Sequence, residues 1–260
     1  MKIKKIFGGL LCITTHFLFG QNMSVIEKQL NESFQKINYW SSEGRDHKDS
    51  YDSLAVANTK FEKLLVRYTS SQPQTISHDF KSLEKNGLIV KTSEDGKFRI
   101  YSWDTWTGGT MHFFKNVFQY ETIDKKIYSK AVESQGEGDP GCYYYQINDI
   151  ISENKKYYLT QSKAILSSGM SYHVIKVFSI DKQQLNDKAQ LIKTQSGIKN
   201  QLSYEVDLTA SANRNYQGRD YEIEYDSKNK IISIPLIQAD SKVTNKKIRY
   251  QFKGKYFEKM

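Results

Sequence analysis

The apolar residues of this chain repeat with one period up to Asn86 and another from Leu88 onward, and that single change limits the folds open to it. Before the change, Ile26, Leu30, Phe34, Ile37 and Trp40 recur at three- and four-residue steps, which is one face of a helix. Tyr51, Leu54, Asn58, Phe61, Leu65 and Tyr68 trace a second helical face, apolar except at Asn58. Thr75 is placed to cap a short third helix carrying Ile76, Phe80 and Leu83, and Asn86-Gly87 supplies a left-handed stop. After the change, side chains alternate. Leu202, Tyr204, Val206 and Leu208 oppose Ser203, Glu205 and Asp207, and Ile248, Tyr250 and Phe252 oppose Arg249 and Gln251. Asp95-Gly96 separates Leu88–Thr92 from Phe98–Trp103 as a hairpin turn. Met111–Tyr120 and Tyr172–Ile180 are apolar on both sides and predict central strands covered on both faces. No connection is long enough for repeated helical crossovers, which disfavours a parallel sheet.

These patterns predict an α+β chain. A helical segment of residues 22–87 precedes a mainly antiparallel β domain of residues 88–260, with about a dozen strands in a sandwich, a barrel or an irregular propeller. No Pro/Gly/Ser-rich linker divides the two parts, so they are expected to share one core.

Residues 1–20 read as a signal peptide. Lys2, Lys4 and Lys5 form a positive n-region, and Ile6 to Phe19 is mostly apolar but too short for a confident membrane span. The end, Phe19-Gly20-Gln21, resembles signal ends in exported proteins of Gram-negative bacteria. The expected location is therefore periplasmic or extracellular, with no transmembrane segment in the mature chain. Removing the three lysines takes the formal charge from +9 to +6. That remainder sits in residues 242–260, which hold seven basic residues and one acidic one. A balanced remainder removes the compositional argument for nucleic-acid binding. Lys246, Lys247, Arg249, Lys253 and Lys255 are candidates for contact with an anionic surface, or else protect an edge strand from aggregation.

Familiar catalytic motifs are missing. There is no zinc-binding His-Glu-x-x-His, no nucleophile elbow and no Walker-type phosphate loop. Gly136-Glu137-Gly138-Asp139-Pro140-Gly141 matches a dinucleotide fingerprint only in form. Its carboxylates would repel a pyrophosphate, and a strand rather than a helix follows. An acidic loop is the expectation there. No metal or other cofactor is implied. Cys142 reads as a small buried side chain near a strand start rather than a nucleophile. His112 and His173 fall on apolar strand faces.

The most distinctive segment runs from Tyr101 to His112 and holds Trp103 and Trp106 beside Asp104, with Gly108-Gly109 permitting a tight turn. Flat rings beside oriented polar groups suit a sugar or a peptide. Tyr101, Trp103, Asp104, Trp106 and His112 are therefore the candidate ligand-binding residues, against the alternative that the rings fold back onto the core. The functional expectation is a non-catalytic binding module for a protein or glycan of the cell envelope. The alternative is an envelope hydrolase using Asp104, His112 and perhaps Cys142 around one cleft.

Overall fold

A computed structural model describes residues 22–216, 218 and 221–260. The expected signal peptide lies outside these residues. Two long helices open the described chain. In α1 (Met23–Ser41), Ile26, Leu30, Phe34 and Ile37 are buried, and the Asn22 side chain caps the start by accepting the Ser24 N–H at 3.0 Å. In α2 (Ser50–Ser71), the buried stripe is Leu54, Ala57, Asn58, Phe61, Leu65 and Tyr68, whereas Tyr51 lies exposed. The predicted third helix is broken into a 3₁₀ turn, Pro73–Ile76, and the short α3 (Lys81–Lys85). Thr75 caps neither. It is buried, its hydroxyl donating to Gln72 O and its carbonyl accepting from Arg99. Gly87, at φ +107, makes the expected stop.

The rest is mostly antiparallel sheet, in three sheets among the described residues, none of them closed. β1 (Ile89–Thr92), β2 (Phe98–Asp104), β3 (Phe114–Glu121) and β4 (Ile127–Ala131) form the first as a meander. The β1–β2 turn is the predicted one, with Gly96 at φ +70 and Asp95 accepting from the Ser93 hydroxyl and the Lys97 N–H. β5 (Tyr143–Ser152), β6 (Lys155–Ile165) and β7 (Met170–Asp181) build the second, and β8 (Gln184–Asn186) pairs with β7. β9 (Ile192–Thr194) and β10 (Gly197–Lys199) begin the third before β11 (Gln201–Asp207) returns to β7 of the second. β12 (Glu224–Asp226), β13 (Ile231–Ile237), β14 (Val243–Phe252) and β15 (Phe257–Lys259) complete the third, in the order β10-β9-β15-β14-β13-β12. The β9–β15 pair is parallel.

The elements stack as helices, first sheet, second sheet and third sheet, with one core between each adjacent pair. Helix residues pack on Tyr101, Trp103 and Val117 of the first sheet. Its other face, with Phe98, Ile100, Phe118 and Tyr120, meets Tyr144, Tyr158 and Phe178 of the second. The far face of the second sheet, with Ile150, Leu159, Ile175 and Val177, packs on Ile192, Ile232, Tyr250 and Phe257 of the third. β3 and β7 are thus covered on both faces, as their double-sided apolar pattern implies. The expected edge-strand role for the basic segment is corrected here: β14 lies between β13 and β15, and the edges of that sheet are β10 and β12. No helix among the described residues is long and apolar enough to cross a membrane.

Candidate functional site

The segment from Tyr101 to His112 splits where β2 ends. Tyr101 and Trp103 are odd-numbered residues of β2, so they point at the helices and are fully buried. They cannot touch a ligand, which corrects the expectation for both. The Tyr101 O–H donates to Gln119 Oε1 at 2.8 Å, and burial pushes its pKa up to about 12. The Trp103 indole N–H donates to Asn58 Oδ1 at 3.0 Å. Asn58, the polar exception in the α2 stripe, also donates from Nδ2 to Thr105 O at 2.9 Å. One helix side chain therefore clamps the residues on both sides of Asp104.

Past this clamp the loop turns outward. Asp104 Oδ1 accepts the Trp106 N–H at 2.8 Å, and Trp106 sits at φ 58 with half of its surface exposed. A bulky ring in that left-handed region is rare. Gly108 is required by crowding, since a Cβ there would lie 2.0 Å from Met111 O. The loop closes when Thr105 N–H donates to Phe113 O and His112 N–H to Ile165 O. Asp104 Oδ2 and His112 Nδ1 are then 2.5 Å apart, and the imidazole stacks on Phe114 at 15° and faces Trp106 at 6.0 Å.

Asp104, Trp106 and His112 line a cleft of about 480 Å³ whose opposite wall comes from the joint between α1 and α2. That wall supplies Trp40, Arg45 and Tyr51. Gly44 lets the joint fold over Trp40, because a Cβ there would meet the indole at 2.7 Å. The cleft combines three aromatic rings, a guanidinium and a carboxylate–imidazole pair with Nδ1 engaged. Such a set can stack on an apolar ring face and hydrogen-bond hydroxyls around it. Trp40, Arg45 and Tyr51 were not among the sequence candidates, because only the turn between the helices brings them to this loop.

Cys142 lies elsewhere, lining a second cleft between the first and second sheets. Burial pushes its thiol pKa up, against hydrogen bonds from Ser162 and Tyr144, which is opposite to the shift an activated nucleophile needs. The set of Asp104, His112 and Cys142 is therefore not gathered around one cleft. The other described histidines lie away from the Asp104–His112 pair. His78 Nε2 is 2.7 Å from Glu27 Oε2, His47 is exposed, and His173 is fully buried against Tyr204. The acidic loop is a loop, with Gly136, Gly138 and Gly141 all at positive φ and β5 following it. No group of three metal-ligating side chains occurs among the described residues.

The C-terminal cations divide. Lys247 pairs with Glu224, and Lys255 with Glu153 at 2.9 Å. Lys253 donates to Gln251, while Lys246 and Arg249 are exposed on β14. Compared with known proteins, the chain matches no family model, no curated protein and no solved structure.

Proposed function

We propose that this α+β protein is exported to the periplasm or beyond, and that it binds a glycan of the cell envelope in the aromatic cleft without transforming it. The n-region lysines and apolar stretch of residues 1–20 support export. The observation that carries the binding reading is Trp106. Left-handed backbone costs an L-residue about 1–2 kcal/mol, yet here it holds an indole half exposed, facing Trp40 and Tyr51 across the cleft. A loop that spends stability on presenting a ring is organised for contact. Arg45, Asp104 and His112 then supply the polar groups that orient sugar hydroxyls.

The test is titration of the mature protein with soluble glycan fragments, chitotetraose and peptidoglycan saccharides among them, followed by tryptophan fluorescence and calorimetry. Trp106→Ala is expected to weaken binding at least tenfold with an unchanged circular dichroism spectrum. Equal binding by that variant, or no binding by the parent protein, overturns the reading.

A second reading, an envelope hydrolase, is favoured by the short Asp104–His112 contact alone. There His112 Nε2 would take a proton from water while Asp104 holds Nδ1. Chromogenic glycosides and peptides separate the two, because turnover abolished by His112→Gln would establish the hydrolase. Contact with an anionic surface is the further role we propose for the cations Lys246, Arg249 and Lys253. Equal association of a triple-Gln variant with anionic vesicles at low salt would remove it.

A further inference from the structure

The first and second sheets pack tightly through Phe98, Phe118, Tyr144, Tyr158 and Phe178, and then part. Beyond Phe118 the gap between them stays open as a cleft of about 920 Å³. Pockets for small molecules run from about 300 to 1,000 Å³. One wall holds Phe114, Phe118 and Val132, and the other Ala164, Leu166 and Val174. Phe114, Phe118, Ala164 and Val174 are strand residues, and Val132 and Leu166 lie just past strand ends; all are apolar side chains of the kind that make a core, left beside an open space.

The rim is the segment 133–141. It is fastened to the first sheet, because Phe114 N–H donates to Pro140 O at 2.7 Å. Gly141, at φ +62, sits where a Cβ would lie 2.5 Å from Phe114 O. Asp139 shapes the segment by accepting the Gln135 and Gly141 N–H groups, at 2.7 and 2.9 Å.

The charges lining this cleft do not balance. Its two lysines are already paired, Lys115 with Glu62 at 2.7 Å and Lys176 with Asp187 at 3.1 Å. Glu133 and Asp139 then add two carboxylates that no lining cation neutralises. We propose that the cleft binds a small amphiphile with an apolar body and one cationic group, its tail between the sheets and its charge at the Glu133–Asp139 rim. The walls reward removal of a tail from water, and the rim attracts a cation and repels an anion. This site is distinct from the aromatic cleft; the two share only Thr107 among their lining residues.

The experiment is calorimetric titration of the mature protein with alkylammonium ions from octyl to dodecyl and with dodecanoate, all below their micellar concentrations. Dodecylammonium is expected to bind at least tenfold more tightly than dodecanoate. Each added methylene should tighten binding about two- to fourfold. Val174→Trp, which puts an indole into the apolar part of the cleft, should abolish binding. Glu133→Lys changes an exposed residue, so it tests the rim even where the filled variant fails to fold, and it should weaken dodecylammonium at least tenfold. Trp106→Ala should change nothing here, which separates this site from the glycan reading. Equal affinity for dodecanoate, an unaffected Glu133→Lys variant, or no binding by the parent protein would overturn the proposal.

Discussion

Toward the helices the first sheet presents Arg99, Tyr101, Trp103 and Gln119; toward the second sheet it presents Phe98, Ile100, Phe118 and Tyr120. The first face is held by directed bonds. Arg99 Nη1 donates to Thr75 O and His78 O, both at 2.7 Å, and Gln119 Nε2 to Thr69 O and Thr75 Oγ1. The second face is packed chiefly through rings, with Phe98 on Phe118, Tyr158 and Phe178 at centroid separations of 5.4–5.8 Å, and its bonds, Tyr144 N–H to Ser102 Oγ and Asn116 Nδ2 to Cys142 O, lie to one side of that cluster. Directed bonds fix one register along the whole interface, because a slip leaves buried polar groups unpaired. Ring packing has no such demand, and it stops where the partner sheet turns away. The helix side carries a strained loop with the aromatic cleft beside it, and the other side carries the larger cleft between the sheets.

Removing a ring should have the largest effect. Phe98→Ala deletes a side chain that touches three others and is expected to lower stability by about 4 kcal/mol in urea unfolding. A loss near 1 kcal/mol would mean that the sheets close over the gap. On the bonded side, Asn58→Ala leaves the Trp103 N–H and Thr105 O without partners, for an expected loss of about 3 kcal/mol. Trp103 fluorescence should shift in the same variant. If it does not, the clamp is not what places the indole.

The next interface outward gives a pH test. Burial, with Lys163 nearby, pushes His173 down to about 3 from its ordinary 6.5. The folded protein therefore binds this proton less well than the unfolded chain. Stability is whole above about pH 6.5 and falls as pH drops toward 3. The loss should reach about 2 kcal/mol by pH 5, by linkage, and His173→Phe should flatten that part of the curve. A slope unchanged in the variant would place the acid sensitivity elsewhere. The smallest effect belongs to the strained loop. Trp106→Gly relieves its left-handed backbone and is expected to raise stability by no more than about 1 kcal/mol. A marked fall would mean that the ring is packed rather than presented.

Most helices and strands were legible because they rest on local pattern. β7 and β11 lie within two residues of their predicted runs. β8 and β10, at three residues each, are too short to show a period. The error at Trp103 came from treating it as a loop side chain although the predicted strand, Phe98–Trp103, already contained it. Within that run Phe98 and Ile100 alternate with Arg99 and Tyr101 as two buried faces, and the alternation puts Trp103 with Tyr101. Asp104, Trp106 and His112 could be grouped from the sequence because chemistry and turn signals coincide in one short segment, and the structure brings them to one cleft. Trp40, Arg45 and Tyr51 could not be grouped with them, because what joins them to that loop is the packing of α1 and α2 on the sheet. The intersheet cleft was hidden for the same reason: the sequence shows which faces are apolar, and the angle between two sheets decides whether they meet.

The parallel pairing of β15 with β9 joins Phe257 to Ile192 and Glu258 to Lys193, residues far apart along the chain, with β11 assigned to another sheet in between. The first sheet can form from neighbours as soon as they emerge, whereas the third must wait for its final strand. Until then β9 has an open edge beside apolar Leu191 and Ile192, and distant pairings of this kind are the slow ones. During that interval the third sheet is where a chaperone or a protease would find this protein incomplete.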